Sequence, residues 1–129
     1  MTTIIQAASL NKPVYQGIHG NLSVAYSEND LKAVAVGTQI DILSMPTGAR
    51  IPTVSIVSTS GLGAGVTMDI LLDGVAVLSD VDVSAPISHS KGLSPAPLAK
   101  QTTMSIVLNG AVATGDLTIS PLYTCEGSL

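Results

Sequence analysis

The stretch Val66-Thr67-Met68-Asp69-Ile70-Leu71-Leu72-Asp73-Gly74-Val75-Ala76-Val77-Leu78 decides the fold class. Val66, Met68, Ile70 and Leu72 fall on one side of an extended chain, and Thr67 and Asp69 on the other, the period-two pattern of a strand with one wet face. Asp73-Gly74 follows at once and suits a two-residue type I′ turn, whose central residues both take positive φ. Val75 to Leu78 then returns as a second strand, so the segment predicts a β-hairpin.

Outward from this hairpin the same grammar recurs from Thr38 onward. Ile40 and Ile42 alternate with Gln39 and Asp41 up to Met45, Pro46-Thr47-Gly48-Ala49 predicts a turn, and Ile51 to Ser58 predicts another strand. Pro52 lies at the start of that strand; lacking an N–H, it is expected at a strand start or an edge rather than in a central strand. Gly61-Leu62-Gly63-Ala64-Gly65 connects to Val66. Met104, Ile106 and Leu108 alternate with Thr103 and Ser105, and Leu117 and Ile119 with Asp116 and Thr118. Between them, Asn109 to Gly115 reads either as a hairpin turn at Asn109-Gly110 or as a longer loop closing at Gly115.

Two segments break the grammar. Residues 1–21 hold Pro13, Gly17 and Gly20 and show no period, which predicts an extended N-terminal arm before a single domain at 22–129. Ser84 to Lys100, with Pro86, Gly92, Pro95 and Pro97, predicts one long loop. Ser27 to Lys32 reads either as a helical turn capped by Ser27 or as a gap between strands at Leu22–Tyr26 and Ala33–Val36. The expectation is an all-β fold: a jelly-roll-like β-sandwich of about seven or eight short antiparallel strands.

Composition narrows function. The chain has 129 residues, 46% of them hydrophobic and 11% charged, the balance of one domain with a real core. Its only aromatic residues are Tyr15, Tyr26 and Tyr123, so the core must be aliphatic. Stacking on aromatic side chains contributes about 1–3 kcal/mol per base to single-strand binding, and three tyrosines make a poor platform. With a net charge of −4 and five scattered basic residues, Lys12, Lys32, Arg50, Lys91 and Lys100, the chain has no stripe for phosphates, so no nucleic-acid partner is expected. No apolar run approaches the roughly 18 residues of a membrane span, so no membrane partner is expected either. The start of the chain lacks the basic opening of a secretory signal, so synthesis in a cytosol is expected and the Asn21-Leu22-Ser23 acceptor pattern carries no chemistry.

The chemical motifs read blandly. Cys125 is the single cysteine, which excludes an internal disulfide and a multi-cysteine zinc site. The glycines of Gly61-Leu62-Gly63-Ala64-Gly65 precede a strand rather than a helix, so they form no phosphate cradle. Asp80 and Asp82 alternate with Val81 and Val83, as on the wet side of a half-buried strand, where a calcium site would need a converging loop. His89 sits between Ser88 and Ser90 and invites a Ser-His-acid reading, but no G-x-S-x-G elbow exists and His19 is distant in sequence. No catalytic, cofactor-binding or metal-binding residue is expected, and no cofactor. The mean hydropathy of +0.50 leaves too few charges to cover the surface, so apolar area is expected to face a partner or another copy.

The segments Leu43-Ser44-Met45-Pro46-Thr47-Gly48-Ala49-Arg50-Ile51, Gly61-Leu62-Gly63-Ala64-Gly65-Val66-Thr67-Met68 and Gly110 to Tyr123 carry a likeness. In them the chain resembles the capsid decoration, or cement, proteins of tailed bacteriophages. The resemblance implies a non-enzymatic β-sandwich on the outside of the virion head, made in the host bacterial cytoplasm, with the major capsid protein as partner and a dimer or trimer as its own state. An arm suits strand addition or a path along a neighbour, which makes Thr2, Thr3, Ile4, Ile5, Gln6, Leu10 and Tyr15 candidate contacts. The loop adds Pro86, Ile87, His89, Leu93, Pro95 and Pro97. Two alternatives are a head–tail connector or tail component, and a carbohydrate-binding jelly roll of a host-adsorption apparatus, against which the scarcity of aromatics argues.

Overall fold

The structure is a computed structural model that describes residues 4–11, 22–92 and 98–125. Its strands are β1 (Ile4–Gln6), β2 (Ser23–Val24), β3 (Ser27–Val34), β4 (Thr38–Met45), β5 (Ala49–Ser58), β6 (Thr67–Leu72), β7 (Val75–Asp82), β8 (Ile87–Gly92), β9 (Thr102–Asn109) and β10 (Ala113–Cys125), with a 3₁₀ turn at Ala8–Asn11 after β1. They form two sheets, β1-β4-β9-β6-β7 and β2-β10-β5-β8, with β3 also on β10. β2 and β3 pair successive stretches of one edge of β10, whose other edge pairs β5. The fold is the expected all-β sandwich, with ten strands among the described residues rather than seven or eight, and with β1 parallel to β4.

Between the sheets lies a mostly aliphatic core. Ile40, Ile42 and Met45 of β4, Met104, Ile106 and Leu108 of β9 and Met68 and Ile70 of β6 face Val54 and Ile56 of β5 and Leu117, Ile119 and Tyr123 of β10. Fully burying one such aliphatic side chain contributes about 1.5–3 kcal/mol, so this layer dominates stability, with buried Tyr123 adding an aromatic ring to the core expected to be wholly aliphatic. The hairpin forms as the sequence predicts: Leu72 pairs Val75, Asp73 and Gly74 both have positive φ, and Val66, Met68 and Ile70 are buried. Val81 and Val83 point into the core while Asp80 and Asp82 stay outside. Register slips near Asp80, which takes φ 57°, and its N–H donates to Asp69 Oδ1 at 2.8 Å.

Several expectations are corrected. The Ser84–Lys100 loop is interrupted by β8, whose Ile87-Ser88-His89-Ser90-Lys91-Gly92 pairs with β5. β8 is a sheet edge with mostly exposed side chains, so no apolar alternation marks it. Ser27 to Lys32 forms no helical turn but the body of β3, with Ser27 and Leu31 buried and Glu28, Asp30 and Lys32 outside. Pro52 lies in β5, between β10 and β8 rather than at an edge. It is tolerated there because pairing with β10 skips from Thr53 to Arg50, and pairing with β8 begins at Thr53, so no ladder needs its N–H. Asn109–Gly115 is neither hairpin nor loop: β9 and β10 belong to different sheets and residues 110–112 cross between them. The glycine segment 61–65 makes the companion crossing, and a Cβ on Gly110 would overlap the Gly65 carbonyl. Leu62 anchors that segment: it is buried, its N–H donates to Val83 O at 2.9 Å, and its carbonyl accepts from Thr114 N at 3.1 Å.

Residues 4–11 of the segment expected to extend as an arm lie against the sandwich. The Ala7 N–H donates to Asp41 O at 2.9 Å, and buried Ser9 donates its hydroxyl to the Ile42 carbonyl. The Ser9 and Ser27 hydroxyls are hydrogen-bonded at 2.7 Å, linking this segment to both sheets.

Candidate interaction surface

Strand parity assigns the second sheet's faces. On β10, Leu117, Ile119 and Tyr123 point inward, so Asp116, Thr118, Ser120 and Leu122 point outward; on β5, Val54 and Ile56 point inward, and Thr53, Ser55 and Val57 outward. Between β2 and β3 the chain keeps to the β10 edge, with Ala25 N–H donating to Pro121 O at 3.2 Å, which buries Ala25 and leaves Tyr26 59% exposed. Val24 faces Leu122 across the strands. The result is a shallow groove of about 440 Å³ lined by Val24, Tyr26, Ser55, Val57, Thr118, Ser120 and Leu122. Its floor carries apolar side chains and hydroxyls and no charged group. Leu22, just before β2, is 63% exposed.

Thr118 also lines the neighbouring depression, with Glu28, Asn29, Asp30 and Asp116. Register places Glu28 beside Thr118 and Asp30 beside Asp116, so three carboxylates gather at one end of the groove. Asp116 is held by the turn after β5. Its Oδ2 accepts from Thr59 N at 3.0 Å and Thr59 Oγ1 at 2.8 Å, and its Oδ1 accepts from Ser60 N at 3.1 Å and Ser60 Oγ at 2.8 Å. These donors, the Thr59 N–H foremost, hold its carboxyl well below the usual carboxylate range. Asp82 is lowered in the same way by the Ser84 hydroxyl and N–H. Among the described residues no group of three or more His, Cys, Asp or Glu side chains is placed to hold a metal ion, and no helix is long and apolar enough to cross a membrane.

The residues singled out from sequence fall on different edges. Ile4 and Ile5 are exposed on β1, and Ile5 lines a seam against β3 with Ala7, Leu31 and Val34. Gln6 is exposed, and Leu10 is half-buried. Pro86 and Ile87 meet Val57, Ser58 and Thr59 at the opposite edge of the second sheet, and His89 is exposed on β8. Thr2, Thr3, Tyr15, Leu93, Pro95 and Pro97 lie outside the described residues, as does His19. Sequence reasoning passed over the groove itself. Apolar residues occupy both parities in Ile56-Val57 and Pro121-Leu122-Tyr123, but they do so in Ile70-Leu71-Leu72 and Ile106-Val107-Leu108 as well, so the pattern does not single out the groove.

With this geometry in hand, the solved structures give a consistent likeness. The chain is similar to a chain in the capsid of Ralstonia phage GP4, with a TM-score of 0.64 at 13% identity, covering 98% of this chain and 100% of that one. It is similar to a chain of the cyanophage Pam1 capsid asymmetric unit, with a TM-score of 0.64 at 20% identity, covering 92% and 94%. A chain of the capsid of Helicobacter pylori bacteriophage KHP30 matches with a TM-score of 0.54 at 9% identity, covering 89% and 94%. At these identities the likeness shows the fold. No protein-family model matches the sequence, and no curated protein does.

Proposed function

We propose that this protein is a non-enzymatic structural subunit of a phage virion, a decoration protein that binds the outer surface of the head and stabilises contacts between major capsid subunits. The observation that carries the reading is the near end-to-end match to chains from three phage capsids, in which each chain covers almost all of the other. The match runs over almost the whole of each neighbouring chain, so the likeness is to entire small chains of those capsids. The surface suits such work: exposed apolar side chains on several strands offer adhesive area, and avidity over a symmetric lattice multiplies contacts that are individually weak.

The test is the copy number of the chain in purified DNA-filled particles, by quantitative mass spectrometry against the major capsid protein. Copies comparable to the coat protein are expected. About a dozen copies would place the chain in a closed ring of the neck or tail instead, and its absence from particles would overturn the virion reading.

A further inference from the structure

The groove on the second sheet points to a particular kind of contact. Resting on the virion reading above, we propose that this outer face is the surface docked on the coat protein, and that it receives a segment presenting apolar side chains next to a lysine or arginine. Three observations converge. The groove floor is uncharged and apolar, with Val24, Val57 and Leu122 under a Tyr26 that stands 59% exposed, and rigid aromatic side chains over apolar floors are the usual anchors of protein interfaces. The hydroxyls of Ser55, Thr118 and Ser120 supply hydrogen-bonding groups within it. Finally, Glu28, Asp30 and Asp116 border one end, with Lys32 beyond Asp30 on β3.

Charge chooses the occupant. The groove and the acidic depression share Thr118, so whatever fills the groove ends beside Glu28, Asp30 and Asp116. Like charges brought together in a desolvated interface oppose association, whereas a cationic side chain is attracted to the acidic end from a distance of about a Debye length. The coat segment therefore enters with its apolar residues over Val57 and Leu122 and its cation toward Glu28 and Asp30.

The experiment is cosedimentation with coat-protein shells of the same phage assembled without this chain. Wild type is compared with Val57→Asp, Tyr26→Ser, the double variant Glu28→Lys/Asp30→Lys, and Val75→Asp on the outer hairpin of the other sheet. Circular dichroism checks folding, and Tyr26→Ser keeps the test open if Val57→Asp fails to fold, since an exposed tyrosine holds up no core. The groove variants are expected to weaken shell binding about tenfold or more, while Val75→Asp binds like wild type. The charge-reversed variant is expected to weaken binding and flatten its salt dependence. Groove variants that bind shells as wild type does would overturn the docking face while leaving the decoration reading intact; wild type that fails to bind shells would overturn the decoration reading itself, and the docking face with it. A wild-type dimer dissolved by Tyr26→Ser, with shell binding unchanged, would assign the face to a second copy and overturn the proposal.

Discussion

The two outer faces of the sandwich treat water differently. On the first sheet, Asp41 Oδ1 accepts from Ser105 Oγ at 2.7 Å and from Gln39 Nε2 at 3.0 Å, and Asp69 accepts from the Asp80 N–H. These polar groups satisfy one another and lie beside Leu71 and Val107, which strand parity also turns outward. On the second sheet, Val57 and Leu122 take the equivalent outward positions, and Tyr26 and Val24 crowd the same groove. Both faces sit over one shared core, so the difference does not come from folding needs. Outward valine and leucine occur on both faces, but on the second sheet they gather with Val24 and Tyr26 into one groove, which marks where contact with another surface is to be sought.

The sharpest way to break this comparison is to attack the shared layer. Ile106→Ala beneath the first sheet and Ile119→Ala beneath the second should each lower stability by about 2–5 kcal/mol in urea denaturation, because both leave cavities in the same core. Unequal losses, with one variant near wild type, would mean the sheets do not depend on one core.

Next comes the contrast between the faces themselves. Asp41→Ala removes a half-buried acceptor of two side-chain bonds and should lower stability by about 1–3 kcal/mol without changing shell binding. Val57→Ser should do the reverse, shifting stability by no more than about 0.5 kcal/mol while weakening binding. Thermal melts beside cosedimentation separate the two, and any variant that moved both readouts together would erase the distinction.

Asp116 sharpens the acidic end. Its folded carboxyl titrates below its unfolded value, so its stabilisation is present above the unfolded value of about 4 and is lost as pH falls through the lower folded one. Wild type should therefore lose stability on acidification below about pH 4, and Asp116→Ala should lose less over the same range, as followed by melting temperature against pH. Identical acid slopes would show that the Thr59 and Ser60 donors do not distinguish the folded carboxylate from the unfolded one. The smallest effect belongs to the hairpin turn, where Lys100 Nζ lies 3.1 Å from Asp73 Oδ2 with both side chains largely exposed. Lys100→Ala should change the melting free energy by less than about 0.5 kcal/mol, and by nothing measurable at high salt.

What could be read without the structure was local. The 66–78 hairpin carries its own instructions, since alternation sets the buried face and Asp73-Gly74 supplies the two positive φ angles of the turn. The same holds for Pro46–Ala49, closed by Ala49 N–H to Pro46 O at 3.2 Å with Gly48 at φ 82°. β8 was hidden because an edge strand need bury little, and Ser88-His89-Ser90 therefore reads as loop. The groove was hidden for a related reason: its residues come from β2, β5 and β10 and the bend before β3, separated by up to about a hundred positions, and no local pattern reports that they will meet.

The sequence by itself determined that the chain is all-β, that its core is mostly aliphatic and that its surface is short of charge, because periodicity, side-chain size and ionisable groups are properties of residues taken one or two at a time. Tertiary structure alone decided where the chain crosses between the sheets, as at 61–65 and 110–112, the seat of Pro52 inside a bulge and the gathering of Glu28, Asp30 and Asp116 beside an apolar groove. These depend on which strands become neighbours. That choice is made by packing two sheets over one core, and it sets distances between residues far apart in the chain that no single strand contains.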